Sequence, residues 1–436
     1  MIEAIQSGLF ERLADNHAGP QYLYNHVDTF IPGTTPVYYS GPYWDEEELT
    51  SAVECLLTGK WVSAGEHVHK FETAFSKRFN QQHSVMVNSG SSANLVMIGA
   101  LKSVFEWASG DEIILSPVGF PTTIAPVVQN DLKPVFVDIE FDTLNFDVDA
   151  IVSKIGENTR AIFISPVLGN SPDFDKLTAI SDEHGIQLIL DNCDSLGSQW
   201  KGRYLNEYAV ASSCSFYPAH HMTTGEGGMV SSNNKDIVDV ARSLAWWGRD
   251  CYCVGAANLL SCGTCGHRFD TWLKDYQGVV DHKYIFSHMG YNLKPLDLQG
   301  AIGIAQLKKF GEIHRKRRAS KHTLGQLIED NVPDARVPVE LEGGTASWFG
   351  TPVVCNDSTV KNSLVEHLEA NRIQTRNYFA GNILVHPGYR HLGNWHEFPK
   401  ANSVLERVFF IGASPHYGDP IFNYVQEVLQ EWCRPS

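Results

Sequence analysis

The chain has 436 residues, 43% of them hydrophobic and 19% charged, enough to bury a large core in two or three domains of an ordinary soluble enzyme. Its formal net charge of −16, with no long Lys/Arg block, speaks against a nucleic-acid partner, because phosphates must be met by cations. The opening residues MIEAIQSGLFERLADN carry acids and lack a basic region before an apolar core, and nowhere do about 18 apolar residues run together, so a cytoplasmic protein without a membrane span is expected.

Residues 1–30 are expected to form a helical arm, with Ile5, Leu9 and Leu13 on one side, ahead of a large domain over 31–330. Helical spacing marks 45–57 and 69–78. A strand at 84–87 opens onto Asn88-Ser-Gly-Ser-Ser-Ala-Asn94 and an apolar helix over 95–104. A strand, a Gly/Ser turn and a helix start gather amides and hydroxyls around an anion. Gly90, Ser91 and Ser92 are therefore candidates for a phosphate cradle, although an ordinary helix cap explains these residues equally well. Strands at 113–117, 134–138, 161–165 and 187–190, with helices at 148–155 and 174–184, predict an α/β fold whose mostly parallel sheet is flanked by helices.

The last of those strands ends in Asp191-Asn-Cys-Asp-Ser195. Another at 211–216 runs into Ser215-Phe-Tyr-Pro-Ala-His-His-Met-Thr-Thr-Gly-Glu-Gly-Gly-Met229, where two adjacent imidazoles precede a glycine turn with room for backbone beside a ligand. Helices follow at 237–247, 296–310 and 313–328, the last carrying His314-Arg-Lys-Arg-Arg318, a run read as a solvated face. From about residue 335 short strands and one helix at 361–371 predict a smaller C-terminal α/β domain over 331–436.

Nine cysteines in a chain without export signals are thiols or metal ligands rather than a disulfide framework. Four of them, in Cys251-Tyr-Cys253 through Cys262-Gly-Thr-Cys265, fall within fifteen residues, with glycines for turns, and could wrap a soft metal centre. Spacing alone leaves an iron-sulfur cluster, zinc and free thiols all open. Cys55, Cys214, Cys355 and Cys433 read as small packing or surface residues.

The order of these motifs resembles the DegT/DnrJ/EryC1/StrS sugar aminotransferases, pyridoxal-phosphate enzymes of fold type I, over roughly residues 30–430. In that family a Ser-Phe-Tyr/Phe-Pro-x-Lys…Gly-Glu-Gly-Gly segment carries the Schiff-base lysine, and here His220 fills the lysine slot. Imidazole cannot hold the cofactor as an imine, but it can move protons. The resemblance assigns cofactor contacts to Gly90, Ser91, Ser92 and Ser215, stacking on the ring to Phe120, and pairing with the pyridine nitrogen to Asp191. Asp194 stands where the family has Gln or His near the ring oxygen, and its role is open. His221 is the local rival to His220 as base. Asn292, in a Gly-Tyr-Asn-x-Lys variant of the family's Gly-Tyr-Asn-x-Arg, implies a homodimer with shared sites. Arg376 is a candidate for substrate oxygens.

The cysteines point to one branch of that family, the CDP-4-keto-6-deoxyglucose 3-dehydrases, whose [2Fe-2S] ligands match Cys193, Cys251, Cys253 and Cys265. The last spacing is longer here by four residues; the flanks favour Cys265 and the distance favours Cys262. The resemblance implies pyridoxamine phosphate (PMP/PLP) as cofactor and a nucleotide-linked 4-keto-6-deoxyhexose as substrate. It also implies loss of the sugar's C3 hydroxyl, with electrons from an NAD(P)H-dependent flavin/iron-sulfur reductase. Two alternatives stand beside it. One is a cluster-free 3-dehydratase of the colitose type, which removes its amine by hydrolysis. The other is a non-catalytic ligand-binding or redox-sensing protein on the same fold.

Overall fold

The computed structural model describes residues 30–59, 61–251, 268–270 and 273–432. The expected N-terminal arm, Cys253, Cys262, Cys265 and Cys433 lie outside the described residues. Helix α1 (Glu46–Thr58) starts where Asp45 and Glu48 form a reciprocal capping box, with Glu46, Glu47 and Glu48 in the first turn facing the positive end of the helix dipole. It is followed by α2 (Glu66–Arg78), β1 (His83–Val87) and α3 (Gly90–Val104). Then come β2 (Glu112–Leu115), α4 (Pro121–Gln129), β3 (Lys133–Phe136), the short α5 (Val148–Ile151), β4 (Thr159–Ile164), α6 (Phe174–His184) and β5 (Gln187–Asp191). A small hairpin, β6 (Gln199–Trp200) and β7 (Arg203–Tyr204), precedes β8 (Ala211–Ser215), β9 (Gly228–Ser232) and α7 (Lys235–Ala245).

Seven strands form one sheet in the order β1-β9-β8-β5-β4-β2-β3, in which only β9 runs antiparallel to its neighbours. The expected parallel α/β sheet is thus observed, and its central strands are buried on both faces, as crossover helices require. Val96, Met97 and Leu101 of α3, Ile124 and Val127 of α4, and Ile237 and Ala241 of α7 pack with one set of strand side chains, while Phe174 and Leu177 of α6 pack with Ile162 and Leu188. The C-terminal ends of β1, β8 and β5, with β9 between the first two, lie at one edge of the sheet, which brings Gly90, Asp191 and Ser215 there, where ligands of parallel sheets bind.

Helix α8 runs unbroken from Asp297 to Asn331, 35 residues in which the sequence suggested two helices. Gly311, between the two expected helices, has no positive φ and faces open space; a mid-helix glycine costs about 1 kcal/mol, and α8 packs along α1 and α2. Its far end, Leu324 and Ile328, enters a second core under a four-stranded antiparallel sheet made of β10 (Ala335–Arg336), β12 (Gly350–Cys355), β14 (Val408–Gly412) and β13 (Thr375–Asn377). The lone β11 (Gly344–Thr345) joins the β6–β7 hairpin, and helices α9 (Ser358–Ala370), α10 (Pro399–Arg407) and α11 (Asp419–Trp432) complete the C-terminal region. Among the described residues no helix is long and apolar enough to cross a membrane.

Candidate active site

The segment after β8 is a closed loop. Phe216 donates its amide to the Gly227 carbonyl at 2.8 Å, and its own carbonyl accepts from the Thr224 amide and the Thr223 hydroxyl at 3.1 and 2.7 Å. Gly227 has φ +157, and a Cβ there would fall 2.5 Å from Thr224 Oγ1, so only glycine closes this loop. Inside it the His220 amide donates to the Tyr217 carbonyl at 3.0 Å, and the imidazole faces Asp194, three residues past β5. The ring packs 5.1 Å from Phe349, centroid to centroid, with 14% of the side chain exposed.

Burial first, and then the Arg317 charge, hold His220 down to about 3, so the ring is neutral at physiological pH. Its Nδ1 is buried without a hydrogen-bond partner and lies 3.6 Å from Asp194 Oδ1, beyond bonding distance. Burial and the Asp191 charge push Asp194 up to about 7, while the Leu168 amide donates to its carboxyl at 3.3 Å. With the carboxyl pushed up and the imidazole pushed down, the two are held away from a carboxylate–imidazolium ion pair. The neighbouring His221 turns the other way, its Nε2 2.8 Å from the Ser347 carbonyl in the core. Adjacent side chains point apart, and His220 is the one that faces the site.

Across the pocket Asp191 is 4% exposed, and among the described residues the hydrogen-bond partners of its carboxylate are all neutral. The Asn94 amide group and the Thr123 hydroxyl donate to Oδ2 at 2.8 and 2.6 Å; the Cys193 amide and the Ser213 hydroxyl donate to Oδ1 at 3.2 and 3.4 Å. A buried carboxylate without a cation partner suits a protonated ring nitrogen. Beside it α3 begins. Ser89 is the cap, accepting the Ser92 amide at 3.1 Å. The amides of Gly90 and Ser91 stay outside the helix ladder at the positive end of its dipole. A Cβ on Gly90 would lie 2.4 Å from Ser215 Cβ and 3.1 Å from Cys193 Sγ, so three expected site residues meet at this turn. Ser91 Oγ bonds Thr122 Oγ1 at 3.0 Å, which ties the turn to α4 and to Phe120 just ahead of it, a half-exposed ring 5.9 Å from Phe379. These residues fit a phosphopyridoxyl group: an anion turn, a buried carboxylate and an open aromatic.

Burial and the Asp191 charge push the Cys193 thiol up. Cys251 is half-buried. Asn292 is exposed, with its Oδ1 accepting the Lys294 ammonium, one residue before Leu293, whose carbonyl accepts the Asn88 amide. Arg376 is exposed as well, stacked 4.2 Å over the Tyr39 ring and donating to the Thr375 carbonyl.

The basic run on α8 is not a solvated face throughout. Arg317 is 1% exposed and its guanidinium reaches the back of the His220 loop, while Arg318 donates to the Ala346 carbonyl. The signal was present in the spacing of Phe310, Ile313, Arg317, Ser320, Leu324 and Ile328, a single buried stripe at steps of three and four. Asn94 and Thr123, the Asp191 donors, also escaped the sequence reading; Asn94 sits between apolar helix positions, where a buried polar group needs a partner.

Comparison with known proteins shows the family and the fold. The sequence pattern of the DegT/DnrJ/EryC1/StrS aminotransferase family matches residues 43–430. The chain is 38% identical over 416 residues to a dTDP-4-dehydro-2,6-dideoxy-D-glucose 3-dehydratase of Saccharopolyspora spinosa, covering 94% of this chain and 89% of that one. It is 36% identical to the lipopolysaccharide biosynthesis protein RfbH of Salmonella typhimurium, covering 92% and 93%. Among solved structures, the E. coli GDP-4-keto-6-deoxy-D-mannose-3-dehydratase with bound hydrated PLP superposes with a TM-score of 0.78 at 28% identity, covering 90% of this chain and 99% of that one.

Proposed function

Because this chain belongs to the DegT/DnrJ/EryC1/StrS aminotransferase family, we propose that it is a pyridoxamine-phosphate-dependent enzyme that removes the C3 hydroxyl of a nucleotide-linked 4-keto-6-deoxyhexose. The observation that carries the reading is His220: a neutral imidazole, buried beside Asp194, in the loop where an aminotransferase keeps its lysine. A neutral imidazole can take a proton and return it, but it cannot form the imine that amino transfer needs. The 3-dehydratase names of the relatives described above support the same chemistry.

In this reading the α3 start, with Gly90, Ser91, Ser92 and the nearby Ser215, holds the cofactor phosphate, Phe120 covers the ring and Asp191 gives the ring nitrogen its counter-charge. When bound, the cofactor supplies the amine that condenses with the C4 ketone and a ring that takes up electrons. His220 takes the proton at the carbon next to that amine. It then stands within the same pocket to protonate the departing C3 hydroxyl, and the Asp194 carboxyl next to it is a second proton donor. Phe349 and Phe379 keep water from this side of the pocket.

The cysteine set Cys193, Cys251, Cys253 and Cys265 would hold a [2Fe-2S] cluster that passes electrons from a separate NAD(P)H-dependent reductase. The soft four-thiol donor set suits such a cluster, and Cys193 Sγ lies against Gly90, at the cofactor end of the sheet. The partner carrying Asn292 to the site would be a second copy of the chain. Exposed Leu56, Leu57, Trp61, Val62, Tyr291 and Leu296 are the apolar residues proposed for that contact, and the Val62 carbonyl, accepting the Asp297 amide, holds Val62 beside Leu296.

The test is anaerobic incubation of PMP-loaded protein with CDP-, dTDP- and GDP-linked 4-keto-6-deoxyhexoses, with and without a reductase, read by mass. Loss of one oxygen is expected; exchange of oxygen for an amino group overturns the reading. His220→Asn should cut turnover by about 10² to 10⁴ while leaving cofactor affinity intact. Iron-sulfur absorption lost in Cys251→Ser supports the cluster. Deoxygenation by colourless protein with no electron donor makes the enzyme the cluster-free kind.

A further inference from the structure

Arg317 is a fully buried cation, and among the described residues no carboxylate pairs with it. Its Nη2 donates to the carbonyls of His220 at 2.8 Å and Ala219 at 3.0 Å and approaches Ser40 Oγ at 3.4 Å, while Nη1 donates to the Phe349 carbonyl at 3.1 Å. Nε is buried without a partner. Burying a guanidinium without a counter-ion is costly, and packing alone would be served by an aliphatic side chain at this place in the Phe310–Ile328 stripe. The residues it grips are the two that carry the proposed base and the aromatic on which that base rests.

We propose that Arg317 is the positioning residue of the base, its guanidinium pinning the main chain at Ala219 and His220 and the Phe349 backbone from behind the pocket. The fork geometry of guanidinium lets one nitrogen span two successive carbonyls, which an ammonium cannot do with equal rigidity. A second consequence follows from its charge. The groups facing His220 are the Asp194 carboxyl from the end of β5, the Tyr217 ring and His221 from its own loop, Phe349 from β12's approach, and Arg317 from α8. Arg317 is the only permanent cation of that set and, after burial, it is what disfavours imidazolium. Its loss therefore both loosens the loop and lets the ring take up a proton at higher pH. The catalytic half of this inference rests on the dehydratase reading; the structural half does not.

Arg317→Met and Arg317→Lys test it. In the apo protein, amide hydrogen exchange followed by mass spectrometry should speed up at least tenfold in the peptide covering 216–224 of Arg317→Met, with peptides of β4 and β5 unchanged. In the loaded enzyme kcat should fall about a hundredfold, as misplacement of a catalytic group does, with KM for the nucleotide sugar within threefold. The acid limb of the kcat profile should move up by about one pH unit in Arg317→Met and return in Arg317→Lys, which restores the charge but not the fork. Loop exchange within twofold of wild type overturns the positioning role. An unmoved acid limb in Arg317→Met overturns the electrostatic part and leaves a packing role. Should Arg317→Met fail to fold, Arg317→Lys decides: loop exchange and kcat both at wild-type values refute the need for the fork. If the wild type deoxygenates no sugar, the dehydratase reading fails while the exchange result still decides the positioning of the loop.

Discussion

Acid should unfold this protein through its buried histidines, and the size of the effect follows from their surroundings. Burial, followed by the charge of Arg317, holds His220 down to about 3 and pushes His221 well below its ordinary value. His314 and His416 are each held down to about 4, by burial first and then, respectively, by Arg318 and by Arg317 despite the hydrogen bond from His416 to the Pro42 carbonyl. A histidine whose folded value lies below its unfolded value of about 6.5 leaves the unfolded state binding more protons at acid pH, so stability falls as pH drops below about 6.5. From pH 7 to 5.5 each ring removes about 1.3 kcal/mol, roughly 5 kcal/mol for the four.

Asp194 acts in the opposite sense, because its folded value is raised to about 7. It takes up a proton in the folded state first, and over the same interval it returns about 1.6 kcal/mol. The net loss is about 3 to 4 kcal/mol, a large share of the 5–15 kcal/mol typical of a native fold. Urea denaturation of the apo protein at pH 7.0, 6.0 and 5.5 at constant ionic strength measures it. His416→Gln keeps a donor for the Pro42 carbonyl and should recover about 1.3 kcal/mol of the difference between the two end pH values. Equal stability at pH 7.0 and 5.5, or an unchanged slope in His416→Gln, would refute the reasoning.

Asp191→Asn removes the carboxylate proposed to face the ring nitrogen and should cost at least about a hundredfold in turnover, with weaker retention of PMP on equilibrium dialysis; full retention would argue that the carboxylate is only a turn residue. Gly90→Ala puts a methyl 2.4 Å from Ser215 Cβ and should destabilise by about 1–3 kcal/mol and impair PMP binding, read by thermal denaturation and dialysis. Val62→Glu, on the exposed apolar face, should shift the protein to monomer in light scattering coupled to size exclusion, with far-UV circular dichroism unchanged.

Local grammar carries far in this chain. Short apolar runs between turn residues gave six of the seven strands of the large sheet within about two residues, β9 having been read as part of the glycine turn, and Asp191, Ser215 and the Gly90 turn were legible because each ends a strand or begins a helix. The exchange of lysine for His220 was legible because a covalent anchor leaves a motif of fixed length around it. Within α8 the same grammar failed twice: the pattern divided into helices at 296–310 and 313–328 although one helix runs through, and five basic residues in a row looked like one solvated surface.

Successive helix residues turn by about 100°, so a run of five residues must sample every side of the helix and at least one must face inward. Order along the chain therefore determined the layers, the strand ends and the chemical identity of the residue in the lysine slot. The protonation of that residue was decided only by folding. It depends on burial, to which the Phe349 ring contributes, and on the charge of Arg317, 97 positions after it, contacts that no local periodicity encodes because desolvation and charge act through space.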